Sequence, residues 1–561
     1  MVDIKEIEAF LSQMNCISSV KVVNAGDALA HLLIDVKIPE LESTLPFTVS
    51  FDPWYPSKVR GTESIHFKND QLIKYPHIME GGSLCLHTIS SPDWKEKITS
   101  DISQLCEWIK EYYVLGKNDT HFEHLVVEES TVDDCYHSYH YAQPSTGFSA
   151  GEMGYAYCKR LIDGSKLGKT IRNFIVSCFH DKRNLHHQTP TRQSPFSVCY
   201  NSTDGCTIAP YIFVNSVPGI YGKFIYRNFK DFDSLITQEQ RKHIHEYSEW
   251  VKERKNISKT FPLFIGYGIP DNKIAWNVAM IDANDLPTIG TPEYIDNRKT
   301  GRWLSEFKDM QIKWASTNDI SPEYFFGRGC LPAAITEKRI LIMGIGAIGS
   351  MVATTLVRGG CREIGLYDFD IKQPGNVCRS EYDFLCPTNE KMNDLASARQ
   401  RISPYANITL YKEHFDEYVK LASQQSSDIK QSVGQSFKDN YDLVFDCTTD
   451  DDVMYALEQL KLPIDIVNIS MSNHANELVC AFSPSVYEFV RGIYSHTIKN
   501  DSSDLFYPTG CWDPTFKASY NDIAAKLQYA LKRVFSMLSG QEIKQNFVIS
   551  EDATGIKFHQ W

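Results

Sequence analysis

No two cysteines in this 561-residue chain are spaced Cys-x-x-Cys, so a zinc ribbon has no ligand pairs from which to be built. The 15 cysteines are odd in number and irregularly spaced. That suits free thiols in a reducing, cytoplasmic compartment better than a disulfide framework. No run of about 18 apolar residues occurs, so no membrane span is expected. The opening MVDIKEIEAFLSQM is charged and amphipathic and lacks the apolar core of a signal peptide. Positive charge is in deficit, with 57 Lys and Arg against 70 Asp and Glu and a net charge of −13. A chain that binds nucleic acid directly needs the opposite balance, so no such partner is expected. No internal repeat is visible, and the length suits about two to four domains.

What is present divides into three stretches. Residues 1–125 read as an α+β unit. DIKEIEAFLSQM has helical apolar spacing, VKVVNAGDALAHLLIDVKI and LPFTVSFDPWYP alternate as strands do, and DISQLCEWIKEYYVLG returns to helical spacing. Residues 126–324 mix strand-like runs (TIRNFIVSCF, PYIFVNSV, PLFIGYGI) with one polar helix, ITQEQRKHIHEYSEWVKERK. They carry no chemical motif and read as a mixed α/β linking or docking domain. At the first junction His121, His124, Cys135, His137 and His140 are dense enough to raise a metal site, although an ordinary surface loop is the simpler reading. Residues 325–561 alternate strand and helix: KRILIMG, AIGSMVATTLVRGG, EIGLYDFD, DLVFDCT, IDIVNISMS. Such alternation predicts a doubly wound, Rossmann-like α/β domain, with SQQSSDIKQSVGQS as a surface insertion.

After KRILIM comes Gly344-Ile-Gly346-Ala-Ile-Gly349. Strand, glycine turn and helix stand in the order that lets backbone N–H groups and a helix N-terminus meet phosphates. Asp368 ends the next strand, where a carboxylate can take ribose hydroxyls. On these features alone a nicotinamide dehydrogenase is the default. The following residues, DFDIKQPGNVCRSEYDF and then Lys391, separate the cases. Asp368, Asp370, Asn376, Arg379 and Lys391 form a polar, cationic set that a dinucleotide reductase does not need. Cleavage of ATP between its α- and β-phosphates does need it, because charge develops on both fragments. A carboxylate for Mg²⁺ is also required, and Asp446 or Asp450 in DLVFDCTTDDD can supply it.

From about Arg328 to Pro484 this order and spacing resembles the adenylation domain of the ThiF/MoeB and ubiquitin-activating enzymes. The resemblance implies that Asp368 binds the ATP ribose and that Asn376, Arg379 and Lys391 contact phosphates. The family's Mg²⁺ aspartate falls near Asp450, but DCTTD is offset by one residue from the usual DCTDN, so Asp446 and Asp450 both stay open. Arg328, in FFGRG, loosely matches the arginine that dimers of this family insert into the partner's site. An acyl-adenylate needs a nucleophile, which in the ubiquitin-activating branch is a cysteine. Cys480, in NELVCAFS, looks buried. Cys511, in YPTGCWDPTFKASYNDIAAKL, follows a glycine, precedes a helix and matches the position of the family's acceptor thiol.

The N-terminal YPHIMEGGSLCL resembles the ubiquitin-conjugating pattern His-Pro-Asn-Ile-x-x-x-Gly-x-Ile-Cys-Leu over about residues 1–120, with Pro76, Ile78, Gly82, Cys85 and Leu86 matching. This implies that Cys85 accepts an acyl group from Cys511 and passes it to an amine. His77 stands where the family has its oxyanion-steadying asparagine, and His87 lies two residues past the thiol. Both halves on one chain resemble the fused activating–conjugating proteins of bacterial CBASS anti-phage operons. That implies Mg-ATP use, a homodimer, a cGAS/DncV-like nucleotidyltransferase whose C-terminus is the substrate, and an amine on a target protein or small molecule as acceptor. A small β-grasp cargo on the same relay, an NAD-dependent oxidoreductase fused to a binding module, and a scaffold without catalysis are the alternatives.

Overall fold

The computed structural model describes residues 3–25, 30–117, 125–182, 190–254, 258–295, 298–411, 414–497, 505–506 and 515–560. Three sheets organise them. The first is antiparallel, with strands Ile17–Ala25, Ala30–Val36, Leu45–Phe51 and Ile65–Lys68 in sequence order. Leu45, Phe47, Val49 and Phe51 all point into its core, the two-residue period of a half-buried strand. Helix Trp94–Trp108 covers that face through Ile98, Ile102 and Leu105. It begins earlier than apolar spacing alone suggests because the Asp93 carboxylate accepts from the Lys95 N–H at 2.9 Å and caps it.

The second sheet is richer in strands than the mixed reading expected. Strand Tyr136–Tyr141 bonds Lys313–Asp319 on one side and Lys169–Asp181 on the other, which closes the path Lys313–Asp319, Lys273–Asp282, Thr260–Ile269, Thr207–Phe213, Met153–Arg160, Lys169–Asp181 into a barrel. Aromatic rings fill it: Phe148, Phe179, Tyr211, Phe264 and Trp276 pack against one another at centroid distances of 5.1–6.2 Å where they touch. A small barrel is filled in this way by its own inward side chains. Helix Gln238–Glu253, opened by a Thr237/Gln240 capping box, lies outside it. The Cys/His-dense junction is loop and turn up to Cys135, but His137 and His140 lie on the strand that closes the barrel. His137 lies buried on a barrel strand, and burial holds its pKa down at about 4. His121 and His124 lie outside the described residues, and among the described residues no group of three or more His, Cys, Asp or Glu is arranged to hold a metal.

The third sheet carries the expected winding. Parallel strands run Asn407–Leu410, Glu363–Tyr367, Arg339–Met343, Leu443–Asp446, Asp465–Ser472, followed by antiparallel Glu477–Phe482, Phe547–Asp552 and Gly555–Gln560. Within Arg339–Met343, Ile340 and Ile342 pack on the side of helices Ala347–Arg358 and Tyr520–Leu538, while Leu341 and Met343 pack on the side of Asp451–Leu460. Both faces are covered, as a parallel sheet requires. The polar stretch read as a surface insertion is instead helix Ser427–Asn440, which buries Val433 and Phe437. Its few apolar residues are spaced to form one narrow stripe, which composition conceals. Among the described residues no helix is long and apolar enough to cross a membrane.

Candidate functional site

Strand order, not strand direction, reverses between the parallel neighbours Arg339–Met343 and Leu443–Asp446: one crossover leaves toward Glu363–Tyr367, and a later one returns on the other side. Ligands of open α/β sheets bind at the carboxyl ends of strands beside such a switch. Gly344 leaves the first strand at φ +76°, and a Cβ there would stand 2.6 Å from Thr448 Cα, so only glycine lets the two post-strand loops touch. A Cβ on Gly349 would lie 2.0 Å from the Gly344 carbonyl oxygen, whereas one on Gly346 would meet nothing within 4 Å. Gly344 and Gly349 are thus required by packing, and Gly346 faces open space among the described residues. Gly346 is also the N-cap of helix Ala347–Arg358, which has no side-chain cap. The N–H groups of its first turn are left for an anion.

Beside the turn, Asp368 accepts the Ile345 N–H on one oxygen and the Asp370 N–H on the other, each at 2.9 Å. Burial pushes its pKa up, against the pull of Lys391. Lys391, buried at the start of helix Lys391–Gln400, donates to Asp370 at 2.7 Å and lies 3.7 Å from Asp368. The Tyr382 hydroxyl donates to the Ile345 carbonyl at 2.7 Å, which fixes the turn from beneath. Fully buried Lys372 reaches Asp394 at 2.7 Å and the Asp383 carbonyl at 3.0 Å. Lys372 and Tyr382 stand inside the stretch DFDIKQPGNVCRSEYDF but at none of the positions that its chemistry singles out, so sequence reasoning passes over them.

Asn376 and Arg379 share the short turn Pro374–Arg379. Asn376 accepts the Gln373 N–H at 2.8 Å. Arg379 donates to the Phe516 carbonyl at 2.8 Å and the Thr515 hydroxyl at 2.5 Å, so this guanidinium ties down the chain just after the Cys511 segment. Cys511 itself lies outside the described residues. Phe506 and Thr515, on either side of it, exchange backbone hydrogen bonds of 2.9 and 3.0 Å.

The two aspartates read as candidates for Mg²⁺ differ sharply. Asp446 is fully buried and accepts from Asn468 at 2.9 Å and from the Thr448 hydroxyl at 2.7 Å; burial pushes its pKa up. Asp450 is half-exposed and caps helix Asp451–Leu460 through one oxygen, at 2.8 Å from the Asp452 N–H. Its other oxygen accepts from Lys420 at 2.8 Å. Burial raises its pKa, but Lys420 and the capping N–H groups outweigh that and hold it low. A carboxylate that stays ionised and half-open suits a cation better than one sealed among neutral donors. Exposed Arg328 sits on the loop whose neighbours Cys330 and Leu331 bond the Gly359 carbonyl and pack on Gly359. That is the far end of helix Ala347–Arg358, about 18 Å along its axis from the glycine turn, so Arg328 is not part of the cluster on its own chain. Cys480 is buried, as its alternating apolar run predicts, and burial pushes its thiol well up.

Cys85 is exposed on a loop with many ties. Its N–H donates to the His77 carbonyl at 2.7 Å, and Leu84 N–H donates to Phe67 at 2.8 Å. Asn69 N–H donates to Gly82 at 2.9 Å. Its Sγ lies 3.7 Å from His87 Nε2. His77 takes φ +58° and pairs through Nε2 with the Tyr112 hydroxyl at 3.1 Å. One backbone bond and one side-chain contact thus bring both histidines to the thiol's loop.

Residues 328–461 match the ThiF family. The chain is 28% identical over 235 residues, 40% of its length and 37% of the other's, to an ATP-dependent ubiquitin transferase-like protein, Cap2, of Enterobacter hormaechei subsp. hoffmannii strain UCI 50. It is 25% identical over 231 residues, 37% of its length and 38% of the other's, to the protein y4qC of Sinorhizobium fredii strain NBRC 101917 / NGR234. These matches span under two-fifths of either relative. Among solved structures, E. coli MccB with ATP aligns over 41% of this chain and 64% of that one at 13% identity and a TM-score of 0.28. PaaA aligns over 40% and 65% at 11% identity and 0.29. With its winding, its glycine turn and its match over residues 328–461, the C-terminal part of the chain contains a ThiF family domain.

Proposed function

We propose that this protein is an ATP-dependent, ubiquitin-like ligase that relays an acyl group from Cys511 to Cys85. The observation that carries the reading is the phosphate-ready glycine turn with Asp368 and Lys391 beside it, on the same chain as an exposed, tightly tied Cys85. The ThiF match and the printed description of Cap2 support it.

The substrate is the C-terminal carboxylate of a partner protein. One carboxylate oxygen attacks the α-phosphorus of ATP and pyrophosphate leaves, giving an acyl-adenylate. The N–H groups at Gly346 bind phosphate, Asp368 takes ribose hydroxyls, and Lys391, Arg379 and Asn376 balance the charge that develops. Lys391 must turn from Asp370, and Arg379 from Thr515 and Phe516, to do so. Mg²⁺, when bound, neutralises phosphate charge; Asp450 is the carboxylate that would hold it, after releasing Lys420. The Cys511 thiolate then attacks the acyl carbon and AMP leaves. Cys85 thiolate displaces Cys511. Finally an amine of a target protein or small molecule attacks the Cys85 thioester, an amide forms and the thiolate leaves. His77 would donate to the oxyanion or accept the amine's proton, with His87 beside the sulfur. A homodimer would let Arg328 of one copy serve the other's nucleotide site, which fits its distance from its own. The carried protein in this reading is a cGAS/DncV-like nucleotidyltransferase of a CBASS system.

The test traps the intermediates. The chain, its neighbouring gene products and Mg-ATP are run on reducing and non-reducing gels as wild type, Cys511→Ala and Cys85→Ala. A thiol-labile adduct is expected in wild type, none in Cys511→Ala, and an adduct without onward transfer in Cys85→Ala. No ATP-dependent, thiol-labile species with any neighbour sinks the relay.

A further inference from the structure

We propose that Lys223, a residue of the barrel unit, positions the Cys85 loop for amine attack. The four carbonyls from Tyr75 to Ile78 surround His77, and all four are taken. Pro76 accepts from Trp108 Nε1 at 3.1 Å and His77 from the Cys85 N–H at 2.7 Å, both within the N-terminal unit. Tyr75 and Ile78 accept from the single ammonium of Lys223, at 2.5 and 3.1 Å. Their donor therefore comes from 148 and 145 residues away. Beside it Arg227 pairs with Glu80 at 2.6 Å, an exposed contact that orients more than it stabilises.

Lys223 is itself presented with care. It follows the turn of a hairpin, Gly219–Ile220 and Phe224–Ile225, whose Tyr221 and Gly222 take φ +54° and +69°. Two successive positive φ values give the tight turn that matches strand twist, and a tyrosine at positive φ is a sparsely populated conformation. The hairpin is stapled to the start of the barrel unit by Val126 N–H to the Lys223 carbonyl at 2.8 Å. His77, also at positive φ, persists in that strained state only while its surroundings over-determine it. Lys223 supplies two of those determinants. Since the His77 carbonyl holds the Cys85 amide, the relative placement of imidazole and thiol depends on a contact from outside the conjugating unit.

This rests on the reading of Cys85 as an acyl carrier, so the experiment tests the two separately. The full chain carrying Cys511→Ala is acylated with the thiophenyl ester of N-acetylglycine; Cys85 thiolate attacks the carbonyl and thiophenolate leaves. Glycinamide is then added. Its amine displaces the Cys85 thiolate and loses its proton to solvent, and peptide-resolved mass spectrometry follows aminolysis, hydrolysis and hydrogen exchange of the segment containing the Cys85 amide. Lys223→Ala is expected to slow aminolysis about tenfold, to leave hydrolysis of the same thioester within about twofold, and to speed exchange in that segment. Lys223→Arg restores most of the rate, and Lys223→Gln, keeping one donor, falls between. Unchanged aminolysis and unchanged exchange in Lys223→Ala overturn the proposal, as does a loss that Lys223→Arg and Lys223→Gln share equally. If wild-type Cys85 is acylated no faster than exposed Cys199 and Cys378, the carrier reading fails, and the exchange result alone decides whether Lys223 orders the loop.

Discussion

Beneath the Cys85 loop lies a buried charge network whose removal has a calculable consequence. Lys97 is fully buried. Its ammonium donates to Glu63 at 2.9 Å, to the Thr88 hydroxyl at 2.5 Å and to Asp101. Lys58 also pairs with Glu63, at 2.7 Å. In Lys97→Met the two carboxylates are unequal losers, since Glu63 keeps Lys58 while Asp101, among the described residues, keeps the neutral donors Thr88 and Tyr55. Stripping one partner from a buried pair costs about 3–5 kcal/mol, roughly two to three and a half powers of ten in the opening equilibrium. A chain with several cores has no single unfolding midpoint, so the assay is hydrogen exchange in helix Trp94–Trp108.

The pH dependence gives the sharper check. Burial already pushes Asp101 above its ordinary 3.8, against the pull of Lys97. Without that cation it moves further up. The folded variant then binds more protons than the unfolded chain, so its stability rises as pH falls through the raised value, down to about 3.8. Glu63 runs the other way. Burial raises it, but its bonds to Lys58 and Lys97 outweigh burial and hold it below 4.5. Its contribution is present above 4.5 and lost below, and the Lys97 share of it is absent in the variant. Both effects shrink the gap between wild type and Lys97→Met on acidification from pH 7. Adding Asp101→Asn, which removes the stranded charge but keeps an amide for Thr88 and Tyr55, recovers at least about half of the loss. A gap under about 1 kcal/mol at pH 7, or one that widens with acid, refutes this account.

Four further outcomes follow from the nucleotide end. Gly346→Ala, with open space at its Cβ, keeps the wild-type melting behaviour but weakens ATP binding about tenfold or more in a calorimetric titration; Gly349→Ala, aimed 2.0 Å from a carbonyl oxygen, costs about 1–3 kcal/mol of stability as well. Lys391→Met lowers ATP–pyrophosphate exchange by about two to three powers of ten while circular dichroism is unchanged. Asp450→Asn raises the Mg²⁺ concentration for half-maximal exchange, whereas Asp446→Ala, which strands Asn468, costs about 1–3 kcal/mol of stability at unchanged Mg²⁺ demand. Because Arg379 cannot hold Thr515 and a phosphate together, saturating ATP speeds hydrogen exchange around Thr515–Phe516; equal exchange with and without ATP counts against its phosphate role.

Local patterns were readable where one residue's periodicity decides burial. Ile340 and Ile342 face one helix layer and Leu341 and Met343 the other, as a continuous apolar run bounded by glycine implies. The glycine turn was legible for the same reason, since strand, turn and helix are contiguous in the chain. What failed to show was everything decided by partners far apart in sequence. Helix Ser427–Asn440 reads as polar because only a thin stripe of it is buried. The barrel closes through Tyr136–Tyr141, whose mixed Tyr, His and Ser show no clear apolar face. Arg328 sits next to the first nucleotide strand in sequence yet at the wrong end of the helix that follows, because sequence proximity fixes neighbours only within an element. The contact between Lys223 and the Tyr75 carbonyl spans 148 residues and joins a backbone acceptor, which has no residue identity, to a lysine in an unremarkable GIYGKFI. No motif can encode half of such a bond. A motif search finds both thiols and the nucleotide turn, and it passes over the ammonium bonded to the loop beside one of those thiols.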